Sequence, residues 1–200
     1  MSQQLTIAFV LFAIVAAFTP GPNNAMVLAS GLNFGFRRTL PHVAGIAIGF
    51  GIVVLIAGFG LGAVFKSMPL LYAALKYGGA AYLVYLAWRI ATSGGIDDKD
   101  SQRGEPLSFI GAMLFQWVNV KGLIAAISSV AIYSAIAPYP YNVLFLGAVF
   151  GLVGFVSAAA WALFGASLRG LLSTPRAVRI FNVTMAVLLV ASLYPVLMEG

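Results

Sequence analysis

Apolar residues run almost without interruption through six stretches of this chain, at 5–32, 43–65, 69–91, 107–135, 143–168 and 178–197, and the polar residues collect between them. A helix needs about 20 largely apolar residues to cross the roughly 30 Å hydrocarbon core of a bilayer, so every stretch is long enough to span. The pattern predicts an all-α membrane protein of six transmembrane helices. The first and fourth stretches are overlong and broken. One carries Thr19, Pro20, Gly21, Pro22, Asn23 and Asn24; the other carries Gln116, Trp117, Val118, Asn119, Val120 and Lys121. Pro20 and Pro22 lack a backbone N–H and obstruct the bond one turn back, and Gly21 permits close approach of other groups. No charge falls between Leu5 and Leu32, so this break sits at membrane depth. Irregular backbone persists there only where protein or a watery cavity satisfies it. Two interrupted helices thus predict a polar site inside the membrane.

Three spans per half reverse the direction of the second half. The halves, 1–92 and 106–200, are joined by a hydrophilic linker at 93–105 and together form one transmembrane transporter domain. Each half opens on an interrupted span. Each second span then begins with two glycines four apart, Gly45/Gly49 and Gly147/Gly151. Inverted repeats with broken helices in matching positions are a mark of secondary transporters, whose site lies near the midplane. Taken alone, the glycines read first as close helix packing, as does the pair Gly58/Gly62.

Composition narrows the class. Hydrophobic residues make up 62% and charged residues 8%, outside the range of soluble domains. Cysteine is absent, which excludes disulfides and thiolate metal sites; no cofactor and no metal are expected. The net charge of +6 lies in short loops rather than in a basic stripe with interleaved aromatics, so nucleic acid is excluded as a partner. The charge reads as topology instead. Arg37 and Arg38 follow the first span, Arg89, Lys99 and Arg103 the third, and Arg169, Arg176 and Arg179 flank the turn after the fifth; Lys66 stands alone on the other side. Positive residues mark cytoplasmic loops, which puts both termini outside. The acids of the linker, Asp97, Asp98, Asp100 and Glu105, weigh little in this rule. The first four residues contain no Lys or Arg and the apolar pattern resumes after the prolines, so the first stretch reads as a retained helix rather than a cleaved signal.

Lys121, midway along the fourth stretch, is the sharpest candidate site residue. A lysine at a helix centre costs about 2.5–3.5 kcal/mol on insertion scales, and every Asp and Glu lies in the linker or at Glu199. Snorkelling is the bland reading, but the stem falls short at this depth. The ammonium is expected to face a cavity, to receive a substrate carboxylate and to lead the candidates for proton coupling. Asn23, Asn24 and Asn119, with Gln116 beside them, offer donors and acceptors that lipid cannot satisfy. They either line the site or cap and cross-link half-helices. The free N–H groups of a half-helix starting near Asn23 suit an anion. His42, after Pro41 at the cytoplasmic end of the second stretch, is a second candidate for proton coupling, set against a structural role. Lys76 and Arg89 read as interfacial anchors, and Tyr82, Tyr85, Trp88 and Trp117 as belt aromatics or cavity walls.

These motifs together resemble the LysE/RhtB family of bacterial amino-acid exporters. The family carries Pro-Gly-Pro and then an acid or amide in its first helix, as at Pro20 to Asn23. The basic loop Phe34 to Arg38, the segment Gly78 to Leu83 and Asn119-Val120-Lys121 match its later signatures in order. The chain departs from the family in three places: Asn23 where Asp is frequent, Thr39 for a loop glycine, and Val120 for proline. The segments Pro20–Asn24, Leu86–Ser93 and Gln116–Lys121 are most similar to the branch of cysteine and O-acetylserine exporters. The resemblance implies a bacterial inner-membrane exporter driven by an ion gradient, with Pro20, Gly21, Pro22, Asn23, Asn119 and Lys121 along the substrate path; the residues themselves add Asn24 to the candidates. A neutral Asn23 points away from cationic side chains. The expected cargo is therefore a small neutral or weakly polar amino acid, cysteine/O-acetylserine-like or threonine/homoserine-like, exchanged for protons. A passive channel or a membrane-embedded interaction subunit is the alternative, and a homodimer is left open. An enzyme is disfavoured because the spans carry neither paired acids nor a His–acid couple, and no phosphate-binding loop marks an ATP-driven pump.

Overall fold

The computed structural model describes residues 3–61, 69–92, 105–172 and 174–194. Among them the regular structure is entirely helical: α1 (Gln3–Phe18), α2 (Pro22–Phe34), α3 (Phe36–Ile56), α4 (Pro69–Ala91), α5 (Phe109–Phe115), α6 (Val120–Tyr133), α7 (Tyr141–Leu171) and α8 (Pro175–Ala191). A π turn, Ala57–Leu61, follows α3, and a 3-10 turn, Ser134–Ile136, follows α6.

Both expected interruptions are present. The chain bends by 54° between α1 and α2 and by 62° between α5 and α6. The segments Phe36–Gly60 and Tyr141–Leu171 are each long and apolar enough to cross a membrane, and the bent pairs raise the number to four if each counts as one span. Helices α4 and α8 occupy the third and sixth apolar stretches. The linker residues 93–104 with their acids, Lys66, the side chain of Lys76 and the end of the sixth stretch lie outside the described residues.

One boundary differs from the sequence reading. The second span starts at Phe36 rather than at 43 because no loop is needed before it. Gly35, at φ 79°, turns the chain directly from α2 into α3, in a region of backbone space that favours glycine. His42 consequently lies inside α3 instead of at its end.

The packing joins the two halves. Helix α7 lies against α3, α2 and α1, α3 against α5, and α4 against α8. Small residues make this closeness possible. A Cβ on Gly31 would meet the Ala162 carbonyl, and one on Gly165 the Leu28 carbonyl, so α2 and α7 touch backbone to backbone. Gly45 and Gly49 accept α5 at Phe109 and Met113, while Gly147 and Gly151 accept α3 near Gly51 and Ala47. The two glycine pairs noted in the sequence are therefore packing surfaces, as expected where helix association depends on van der Waals contact.

Phe9, Phe50, Leu146 and Phe150 centre the main core, with the Phe150 ring edge-on to Phe9 at 5.4 Å and to Phe50 at 4.9 Å. Large apolar side chains such as Leu11, Val15, Leu152, Phe155 and Leu163 face outward, where hydrocarbon rather than water is the fitting solvent. The described arginines lie at the α2–α3, α4–α5 and α7–α8 connections, the cationic end of the bundle. Arg169 lies beside Gly35 at the α2–α3 corner, Arg38 sits 5.7 Å from the Phe34 ring centre, and Arg89 donates to the Glu105 carbonyl at 3.4 Å.

Candidate functional site

Breaking a helix strands the carbonyls of its last turn and the N–H groups of the next. The end of α1 shows how they are satisfied. The Ala17 carbonyl accepts from Asn24 Nδ2 at 2.9 Å and from Ser157 Oγ at 2.8 Å. The Thr19 carbonyl accepts from Asn24 Nδ2 at 2.9 Å and from Lys121 Nζ at 2.6 Å; the Pro20 carbonyl accepts from the same ammonium at 3.4 Å. A cation at the C-terminal end of a helix also meets the negative pole of its dipole. Lys121 is thus not unpaired, as the sequence reading had it. Its partners are main-chain oxygens of the other half, with a third ammonium proton to spare.

The second break is built around Gln116, which is fully buried. Its Nε2 donates to the Ala112 carbonyl at 2.9 Å and to Asn23 Oδ1 at 3.1 Å, and its Oε1 accepts from Asn23 Nδ2 at 2.8 Å. Asn119 caps α6, with Oδ1 accepting from the Gly122 N–H at 3.4 Å, while its Nδ2 donates to Gln116 Oε1 at 3.5 Å. Helix α2 starts differently, on the extended Gly21 followed by Pro22 in the first position, where a missing N–H costs nothing. Asn23 is therefore free of capping duty and spends its amide on Gln116.

The cross-bonds follow one rule. Asn23 and Lys121 are each the second residue of a half-helix, α2 or α6. Each reaches the residue that immediately follows the first half-helix of the other half: Asn23 to Gln116 after α5, Lys121 to Thr19 after α1.

Between the breaks lies a cavity of about 50 Å³, enough for a few waters at about 10–15 Å³ each. Gly21, Pro22, Asn23, Asn24, Asn119 and Lys121 line it; Pro20 contributes only its carbonyl to Lys121. The wall continues with Ser157, Gly154 and Ala158 of α7, Ile46 and Phe50 of α3, Gly122 and Ala125 of α6, and Ala16 and Ala17 of α1. The sequence does not single these out as site residues. Ser157, a hydroxyl midway along the apolar 31-residue α7, is the signal available.

Toward the cationic end, polar side chains tie neighbouring helices together. Ser30 and Thr39 share a buried hydrogen bond of 2.9 Å, and Asn33 and Asn182 exchange amide bonds of 2.8 and 3.0 Å. His42 lies on this side, one helical turn before Ile46. It is 2% exposed, and neither ring nitrogen has a hydrogen-bond partner. It does not line the cavity.

Comparisons with known proteins identify the family. The family model for LysE type translocators matches residues 14–192. The cysteine/O-acetylserine efflux protein of Escherichia coli (strain K12) is 31% identical over 194 residues, covering 95% of this chain and 96% of the relative. The protein of that name from Shigella sonnei gives the same figures, and that of Salmonella paratyphi A is 32% identical over 169 residues, 82% of this chain and 84% of the relative. No solved structure matches. Family model and relatives both run across the two broken helices and the cavity they enclose: the chain belongs to the LysE family of membrane translocators.

Proposed function

We propose that the protein exports a small neutral or weakly polar amino acid across the bacterial cytoplasmic membrane, by alternating access between two inverted three-helix repeats with both termini outside. The observation that carries this reading is the reciprocal bonding of the two breaks around one polar cavity. Asn23 and Lys121 hold corresponding positions in opposed halves, and the pairs α3–α7 and α4–α8 bring corresponding helices together. The relatives named as cysteine/O-acetylserine efflux proteins support the cargo class.

The cavity distributes its chemistry as a zwitterion requires. The Lys121 ammonium and the N-terminal amides of α2 and α6 favour a carboxylate. Asn24 spends its Nδ2 on α1 and presents Oδ1 as an acceptor for the cargo's ammonium. No Asp or Glu lines the cavity, so a cationic side chain would meet Lys121 without a counter-charge. A carboxylate that takes Lys121 from the Thr19 carbonyl loosens the tie between the halves. The cargo thereby supplies the differential binding that a conformational change needs. A cavity with room for a few waters must widen as this happens.

Proton antiport is the drive we propose, with His42 as the coupling group in place of Lys121, whose ammonium ties the two halves through the Thr19 carbonyl. A buried polar side chain without partners calls for a reason. Helices α2 and α5, packed on α3, carry no titratable group; α6 carries Lys121 and Tyr133, α7 Tyr141 and Arg169, and α3 itself Arg37 and Arg38. No carboxylate stands among them to compete for the imidazole, so its two unpartnered nitrogens are what recommend His42 for the role.

The test is purified protein in proteoliposomes under an imposed pH gradient, with labelled serine, threonine, cysteine and O-acetylserine. Accumulation beyond equilibrium that an uncoupler abolishes is expected for at least one of them. Movement of none, or movement that never exceeds equilibrium, would reject the exporter or its coupling respectively.

A further inference from the structure

We infer that Phe50, set between Gly122 and Gly154, is the gauge that limits the size of the cargo side chain. The inference rests on the exporter reading above and adds which residues select within the cargo class. The polar groups of the cavity are Lys121 and the amides at the helix breaks, which engage the groups common to every amino acid, and Ser157, whose hydroxyl is spent on the Ala17 carbonyl. Selection must therefore come from the apolar wall. The bulkiest member of that wall is Phe50.

Three observations fix its role. Phe50 is 8% exposed and its ring packs edge-on to Phe150 at 4.9 Å. Phe150 in turn is wedged edge-on against Phe9 and Phe12, so the Phe50 ring cannot swing away without repacking the core. Second, the residues facing it from α6 and α7 are glycines. A Cβ at Gly122 would stand 3.4 Å from Phe50 Cε2, and one at Gly154 would stand 4.0 Å from Cδ1. Third, Phe50, Gly122 and Gly154 all line the cavity. A held ring facing two positions without side chains gives the cavity a wall of fixed depth, with room for no more than a methyl group between the ring and either glycine. One methylene in such an apolar pocket changes discrimination by about 10–200-fold.

The two sides of this pocket move selectivity in opposite directions. Phe50→Ala, or the milder Phe50→Leu, deepens it. Gly154→Ala narrows it; the added methyl makes an ordinary contact with Phe50 and nothing closer, so the fold tolerates it. The experiment is competition transport in proteoliposomes with serine, cysteine, threonine, methionine and leucine for wild type and all three variants, each checked for monodispersity. Phe50→Ala or Phe50→Leu should raise leucine and methionine relative to serine by at least about 10-fold. Gly154→Ala should lower threonine relative to serine by a comparable factor. Folded, transporting variants with the wild-type profile would overturn this inference alone. A wild type that moves none of the five would overturn it together with the exporter reading.

Discussion

Lys121 Nζ donates to the Thr19 carbonyl at 2.6 Å, joining the second residue of α6 to the backbone just past α1. The residues are far apart in sequence and lie in opposite halves of the chain. The contact gives a lysine midway along a span a reason to exist without a carboxylate: it neutralises the exposed end of a broken helix. It also makes the tie breakable, because a cargo carboxylate is a stronger partner for an ammonium than a peptide oxygen.

Lys121→Met keeps the length of the side chain and removes the charge. It removes the charge-assisted bond to the Thr19 carbonyl, which keeps its bond from Asn24, and is expected to destabilise the fold by about 1.5–3 kcal/mol. Thermal unfolding in detergent measures this. Lys121→Arg, which keeps the charge, should retain more stability than the methionine variant.

Asn23 and Gln116 form a closed pair, each donating to and accepting from the other. Asn23→Ala and Gln116→Ala should each destabilise, with Gln116→Ala the worse because it also frees the Ala112 carbonyl. The double variant should fall short of the sum by about 0.5–3 kcal/mol. Additive losses in a double-mutant cycle would show that the two amides do not act as a unit.

His42→Phe fills the same buried space without orphaned nitrogens. It should be at least as stable as wild type, since burying an unbonded polar group costs about 1–3 kcal/mol. Exchange of amino acid across proteoliposomes should persist, while accumulation driven by a pH gradient should be lost. Intact gradient-driven accumulation would remove His42 from the coupling.

Asn33 and Asn182 bridge α2 and α8 on the cationic side of the cavity. The chain has no cysteine, so Asn33→Cys with Asn182→Cys introduces the only thiols. Crosslinking that pair should hold the cationic end shut and stop transport, and reduction should restore it. Unimpaired transport by the crosslinked protein would mean that this end does not need to open.

The breaks were legible in the sequence because prolines, asparagines and a lysine have few other uses inside apolar stretches. Lys121, Asn23 and Asn119 were accordingly found and are brought together. The partner of Lys121 was not legible, since a backbone carbonyl leaves no trace in residue identity. Gln116 was read as a lesser amide because its importance comes from reaching across the halves to Asn23, a contact that no local pattern encodes. His42 was placed at a helix end because proline at position 41 suggested a boundary. The reversal at Gly35 instead starts α3 earlier, and Pro41 falls inside it. Phe50 looked like any core aromatic; only the glycines facing it from α6 and α7 distinguish it.

Counterflow of labelled serine in proteoliposomes, wild type beside Lys121→Met, tests the central claim most directly because it needs no ion gradient and reads passage through the cavity alone. The account predicts rapid counterflow in wild type and at least about 100-fold slower counterflow in a monodisperse variant, the loss of one charge-assisted contact together with the helix tie it maintains. Equal counterflow in the two proteins would contradict it.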